Sequence, residues 1–257
     1  MPYEVVIKSL IAGLLASVAC GLGALPLGIK GIRLERRTGV AYGVAGGLMF
    51  AASVYNLILP GLTLSASEIT LRSVIPVLMG ILSGSAFLWY TDLYLTPERL
   101  SQGFWTRMGS RSQILILVAM SVHSIPEGVA VGVGYASETV YASKLGSYIA
   151  LAIAIHNIPE GLAVAIPMRA SGSSMSRCFW AAFLTSLPQP IAAVPASVIS
   201  WLFQPLMPIL MGFAAGAMMY LVLLELIPQA LQDVAPPKVA WAFTAGFCLM
   251  LLVQVVL

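Results

Sequence analysis

The chain has 257 residues, of which 59% are hydrophobic and 9% charged, with a mean hydropathy of +0.94 and a net charge of +3. That balance excludes a soluble globular enzyme and a basic nucleic-acid-binding protein, and predicts an all-α polytopic membrane protein. A span takes about 20 largely apolar residues, so the chain has room for about eight.

The first four residues lack the basic start and small-residue cleavage site of a signal peptide, so the first apolar run is read as a retained helix over 5–29. Further helices are predicted at 38–60, 71–95, 113–135, 143–168, 176–202, 206–231 and 238–257, forming one transmembrane domain over 1–257. The breaks carry turn residues: the basic run from Lys30 to Thr38, the polar run from Gly61 to Thr70, Thr96-Pro97-Glu98, Ala170 to Ser174, Gln204-Pro205 and Pro236-Pro237. Ten of the 13 Lys and Arg residues fall on one side of this alternation: Lys30, Arg33, Arg36, Arg37, Arg99, Arg107, Arg111, Arg169, Arg177 and Lys238. Lys8, Arg72 and Lys144 fall on the other, which puts both termini outside and the basic loops in the cytoplasm. Glycines recur every four residues at Gly39, Gly43 and Gly47, at Gly80 and Gly84, and at Gly212 and Gly216, where they let helix backbones approach closely. Cys20, Cys178 and Cys248 have no metal-binding spacing and read as small core residues, and Met49, Met120, Met218 and Met219 as core filler.

Two apolar runs carry one block twice: His123-x-x-Pro126-Glu127-Gly128 and His156-x-x-Pro159-Glu160-Gly161. Imidazole and carboxylate groups at membrane depth are expensive and mark function. His and Glu four apart share one helix face, so the two helices offer a four-ligand metal site of His123, Glu127, His156 and Glu160. Two imidazoles with two carboxylates suit Zn²⁺, and also Fe²⁺, Mn²⁺, Co²⁺ or Cd²⁺. Pro126 and Pro159 free the carbonyls of Val122 and Ile155 beside each His, and Gly128 and Gly161 are read as leaving room beside each Glu.

These paired blocks resemble the signature helices of the ZIP family of divalent-metal transporters. Gly212 to Tyr220 with Glu225 and Pro228, and Ala45 to Ser53, are similar to its GufA-like branch. The resemblance covers essentially the whole chain. It implies eight helices, a metal site between helices 4 and 5, helices 1, 4, 5 and 6 carrying the ion against 2, 3, 7 and 8, and frequent dimers. It also implies a second metal position using Ser124 and Asn157 with a helix 6 carboxylate, where this chain has Gln189, so that position has weaker ligands. By their depth, Glu225 and Asp92 near the cytoplasmic helix ends read as exit-path residues or as interfacial carboxylates, and Asn56 toward the outer face as lining the entrance or hydrogen-bonding another helix. The segment Thr96 to Ser112 lacks the histidines many members carry there.

The expected function is secondary or facilitated import of divalent cations, zinc foremost, by alternating access. The metal is the substrate, no prosthetic group is expected, and the chain is not expected to be an enzyme. A prokaryotic plasma membrane is the expected location. An intramembrane metal-dependent hydrolase would use the same ligands but has no His-Glu-x-x-His and no spare acid or base; a cation channel is the other alternative.

Overall fold

The computed structural model describes residues 2–29, 38–64, 69–94, 111–141 and 144–256, and every regular element among them is helical. The rods are α1 (Pro2–Leu22), α2 (Thr38–Thr63), α3 (Leu71–Tyr94), α4 (Arg111–Tyr141), α5 (Leu145–Ala170), α6 (Met175–Leu202), α7 (Gln204–Asp233) and α8 (Pro236–Val256). Among the described residues seven helices are long and apolar enough to cross a membrane; α4, which carries the first His block, is not one of the seven. Lys30, Arg33, Arg36, Arg37, Arg99 and Arg107, on which much of the charge asymmetry rests, lie outside the described residues, as does most of the segment Thr96 to Ser112.

Several predicted boundaries shift. The first helix ends at Leu22, and Leu25–Gly28 continues as a short 3₁₀ turn that opens with Leu25 and Pro26. The fourth runs on to Tyr141 rather than stopping near 135. The sixth is broken: one helix covers Met175–Thr185 and a second restarts at Pro188, because proline has no N–H to give the preceding turn and is preset for a first helical position. Two helices contain a wider π turn, Ser53–Ile58 in α2 and Val222–Leu226 in α7. Each is followed at once by proline, Pro60 and Pro228, whose missing donor favours such a register change.

Packing divides the rods. α1 lies against α4, α5 and both halves of α6, and α4 against the second half of α6. α2 pairs with α8, and α3 with α7; the two groups meet where α4 touches α7 and α2 touches α5. In lipid there is no water to expel between helices, so close backbone approach carries the association. A Cβ on Gly80 or Gly84 would run into the carbonyls of Ile209 or Phe213, and one on Gly212 or Gly216 into those of Val77 or Ile81. Ser85 Oγ also donates across this seam to the Gly216 carbonyl at 3.1 Å. Gly43 and Gly47 face Ala242 and the Phe243 carbonyl of α8 in the same way, whereas Gly39 meets the end of α7. The glycine repeats are therefore seams. Cys20 and Cys178 are buried and Cys248 is exposed, so the core reading fails for the last: its face of α8 points outward. Met49, Met120 and Met218 are buried in the core.

Candidate metal site

His123 and Glu127 stand one turn apart on α4, and His156 and Glu160 one turn apart on α5, at the middle of two adjoining helices. All four are buried, as are Ser124, Asn157 and Gln189. Both helices run unbroken through Pro126 and Pro159. The structure does not gather the four predicted ligands into one cluster. It makes two pairs: His156 Nε2 lies 3.2 Å from Glu127 Oε1, and His123 Nε2 lies 3.4 Å from Glu225 Oε1 on α7. Among the described residues no three His, Cys, Asp or Glu side chains sit close enough to hold one ion.

The glycines after each Glu have a different job from the one expected. A Cβ on Gly128 would strike the Gln189 carbonyl of α6, and one on Gly161 the Cys20 carbonyl of α1. They seat neighbouring helices against the Glu-bearing turns and do not open space beside the carboxylates.

The site is rich in unsatisfied lone pairs. His123 Nδ1, Glu127 Oε2 and Glu160 Oε1 are buried with no hydrogen-bond partner among the described residues. Buried polar atoms are nearly always paired, and each orphan wants an explanation. Imidazole nitrogens and carboxylate oxygens are also the donor set a borderline dication takes, so the residues present fit a divalent metal substrate.

The second predicted position is occupied by protein hydrogen bonds. Ser124 Oγ lies 3.1 Å from both the Met120 and the Thr185 carbonyls. Asn157 Nδ2 reaches Gln189 Oε1 at 3.0 Å, the Ala16 carbonyl at 3.2 Å and Ser186 Oγ at 3.3 Å. Ser17 Oγ reaches the Ser186 carbonyl at 2.9 Å. This network ties α1 and α5 to the break in α6. The Ser9, Gly13 and Ser17 face of α1, repeating every four residues, was the sequence signal for it.

A cavity of about 620 Å³ runs from Thr38 and Asp233, at helix ends, to His123. Its wall includes Asp92, Glu225, Gln229, Tyr42 and Tyr220, and among the described lining residues there are three carboxylates and no Lys or Arg. Sequence reasoning missed Gln229 and Asp233, although they continue the face of Glu225 at four-residue steps. Toward the opposite end of α2, Asn56 lines a void of about 10 Å³ together with Leu57, Ile149, Ile153 and Met218. That is the size limit for a single water.

A family model described as ZIP zinc transporter matches residues 101–254. The chain belongs to the ZIP zinc transporter family. The transporter is 32% identical over 248 residues to the zinc transporter GufA of Myxococcus xanthus, covering 93% of this chain and 96% of that protein. It is 33% identical over 255 residues to the zinc transporter ZIPB of Bordetella bronchiseptica, covering 97% and 81%. With the zinc transporter ZIP11 of Homo sapiens it shares 40% identity over 144 residues, 42% of that longer protein. The transporter is thus a multi-pass membrane protein and not an enzyme.

Proposed function

We propose that this chain imports divalent cations, zinc foremost, into the cytoplasm of a prokaryotic cell by alternating access through His123, Glu127, His156 and Glu160. The observation that carries the reading is the set of orphaned imidazole and carboxylate atoms on α4 and α5, of whose residues His123 lines a cavity with three carboxylates and no Lys or Arg among its described lining. α4 serves as the eighth span and both termini lie outside. The cavity mouth, at Thr38 and Asp233, is then cytoplasmic, since in the sequence Thr38 directly follows the basic run from Lys30 to Arg37. The conformation is taken as inward-facing, a reading supported by the contrast between the cavity of about 620 Å³ at His123 and the void of about 10 Å³ among Leu57, Ile149, Ile153 and Met218.

In the loaded state His123 leaves Glu225 and turns to the ion beside Glu127, His156 and Glu160. Release reverses this. Glu225 takes up His123, and the ion passes along Asp92 and Asp233 to the cytoplasm. α1, α4, α5 and α6 move as one body, which the packing supports, against α2, α3, α7 and α8.

Radioactive zinc uptake into liposomes tests the reading. The wild type is expected to give saturable uptake, and the His123→Ala/His156→Ala variant to fall to the level of protein-free liposomes. Uptake unchanged in the variant would remove the site. Access tests the direction: a cysteine at Gln229, in the cavity wall, is expected to react with a charged, membrane-impermeant thiol reagent from the cytoplasmic side. One at Ile153, in the outer seal, is expected to stay unlabelled from either side in the metal-free protein. Labelling of Ile153→Cys from outside would overturn the inward-facing assignment.

A further inference from the structure

α2 and α7 carry one pattern at one constant offset. Gly43, Ala45, Gly47 and Met49 recur as Gly212, Ala214, Gly216 and Met218, and Leu57-Ile58 recurs as Leu226-Ile227. The structure repeats with the sequence. Each helix widens into a π turn at the matching place, Ser53–Ile58 and Val222–Leu226. Each sets its two glycines against one neighbour, α8 for Gly43 and Gly47 and α3 for Gly212 and Gly216. At the same offset Ser17 of α1 matches Ser186 of α6, and these two join directly, Ser17 Oγ donating to the Ser186 carbonyl at 2.9 Å. Gly13 lies against Pro190 while Ser17 meets Ser186, so α1 and α6 run in opposite directions. The repeat is therefore inverted, a plan in which the two open states of a transporter can exchange the roles of its halves.

The residue of α2 that stands where α7 has Glu225 is Asn56. The operation that carries α7 onto α2 carries α4 onto α5, because α4 touches α7 and α5 touches α2. It carries His123 onto His156, since their blocks repeat. The surroundings agree. Glu225 shares its cavity with Met120, one turn before His123, and Asn56 shares its void with Ile153, one turn before His156. At present His123 Nε2 lies 3.4 Å from Glu225 Oε1, and His156 Nε2 lies 3.2 Å from Glu127 Oε1. Exchanging the halves gives a state with His156 on Asn56 and His123 on Glu160.

We propose that Asn56 is the outer counterpart of Glu225: when the chain opens outward, the Asn56 carboxamide takes the His156 ring from Glu127 and holds it clear of the entering ion. This deepens the His/Glu site of the proposed function and rests on it. Asn56 is a positioning residue, acting on the ion through His156. The two counterparts differ in charge, and a carboxylate holds an imidazole N–H more strongly than a carboxamide does. An ion arriving from outside displaces a weak holder and one arriving from the cytoplasm a strong one, so the site loads more tightly from outside.

Thiol labelling of membrane vesicles in the absence of metal reads the two states, in a Cys248→Ser background that removes the exposed native thiol. Asn56→Asp gives the outer side a carboxylate holder. It is expected to make Ile153→Cys react from outside about fivefold faster than in the Asn56 parent, the margin of a charge-assisted bond over a neutral one. Adding His156→Ala is expected to abolish the gain. If Asn56→Asp does not elute as folded protein, Glu225→Gln serves. By weakening the inner holder it is expected to expose Ile153→Cys in the same way, and Asn56→Ala added to it is expected to reverse the exposure. Labelling that stays at the parent rate in Asn56→Asp would overturn the proposal, as would a gain that survives His156→Ala. In the second series, no exposure in Glu225→Gln, or exposure that Asn56→Ala leaves untouched, would do the same. Zinc binding undiminished in His156→Ala would instead sink the His/Glu site itself, and this proposal with it.

Discussion

His156→Ala is expected to weaken zinc binding to the purified chain by about 100-fold or more. Losing a mere supporting partner of a metal ligand already costs 10–100-fold, and His156 is proposed as a ligand. The effect is compounded by what remains. Glu127 Oε1 has His156 Nε2 at 3.2 Å, and Glu127 Oε2 has no partner among the described residues, so the variant leaves a buried carboxyl with nothing opposite either oxygen. Titration calorimetry on detergent-solubilised protein measures the affinity, and His156→Gln, closer in size and polarity, separates loss of a ligand from loss of packing. Zinc affinity within twofold of wild type in both variants would remove His156 from the site. An equal loss at Glu225→Gln is not expected, because Glu225 is proposed to meet the ion only as it leaves.

Gly161→Val is expected to prevent the chain from accumulating as folded protein. The added Cβ would meet the Cys20 carbonyl directly and the Cys20 backbone around it, and neither can swing aside as a flexible side chain could. Overpacking a core with side chains free to adjust costs about 1–3 kcal/mol; here two helix backbones must part along the α1–α5 seam. Gly23, just past the end of α1, is also pressed against the backbone of Ile158 and Leu162 of α5, so separation at one glycine undoes the other. Size-exclusion profiles and thermal melting in detergent give the readout. Gly28→Ala is the matched control, since its Cβ would meet only the end of Met175, 3.7 Å away. A Gly161→Val protein that elutes and melts like wild type would show that the seam opens freely.

Much of this was legible in the sequence because the relevant signals are local. The His-x-x-Pro-Glu-Gly blocks fix spacing on single helices, so the placement of both His/Glu turns at mid-helix followed from periodicity alone. The glycine repeats pointed to seams for the same reason. The pairing of side chains across helices was not legible. Nothing in the local sequence says that His123 turns to Glu225, roughly a hundred residues away, or that Gln189 faces Asn157. Those choices depend on where α6 and α7 sit. The role of Gly128 and Gly161 was misread for a related cause: a glycine beside a functional carboxylate suggests room for a ligand, but the space was claimed by the carbonyl of another helix. The break in α6 was written in Leu187-Pro188-Gln189-Pro190, through which the sequence reading ran one helix over 176–202.

The π turns carry one residue more than an α-helical turn would need. A chain shorter by one residue within Val222–Leu226 would run through that stretch as plain α-helix, with Met207–Leu221 and Ile227–Asp233 left in their present registers. The same holds for Ser53–Ile58 in α2. Elsewhere in these helices a single deletion would turn everything beyond it by about 100° and break the glycine seams. The two turns are thus the places in α2 and α7 where length can change without scrambling the bundle. The residues such a change would displace are Asn56, which lines the small void, and Glu225, which lines the large cavity. Loss of one residue there would change what lines the void and the cavity while leaving the scaffold as it is.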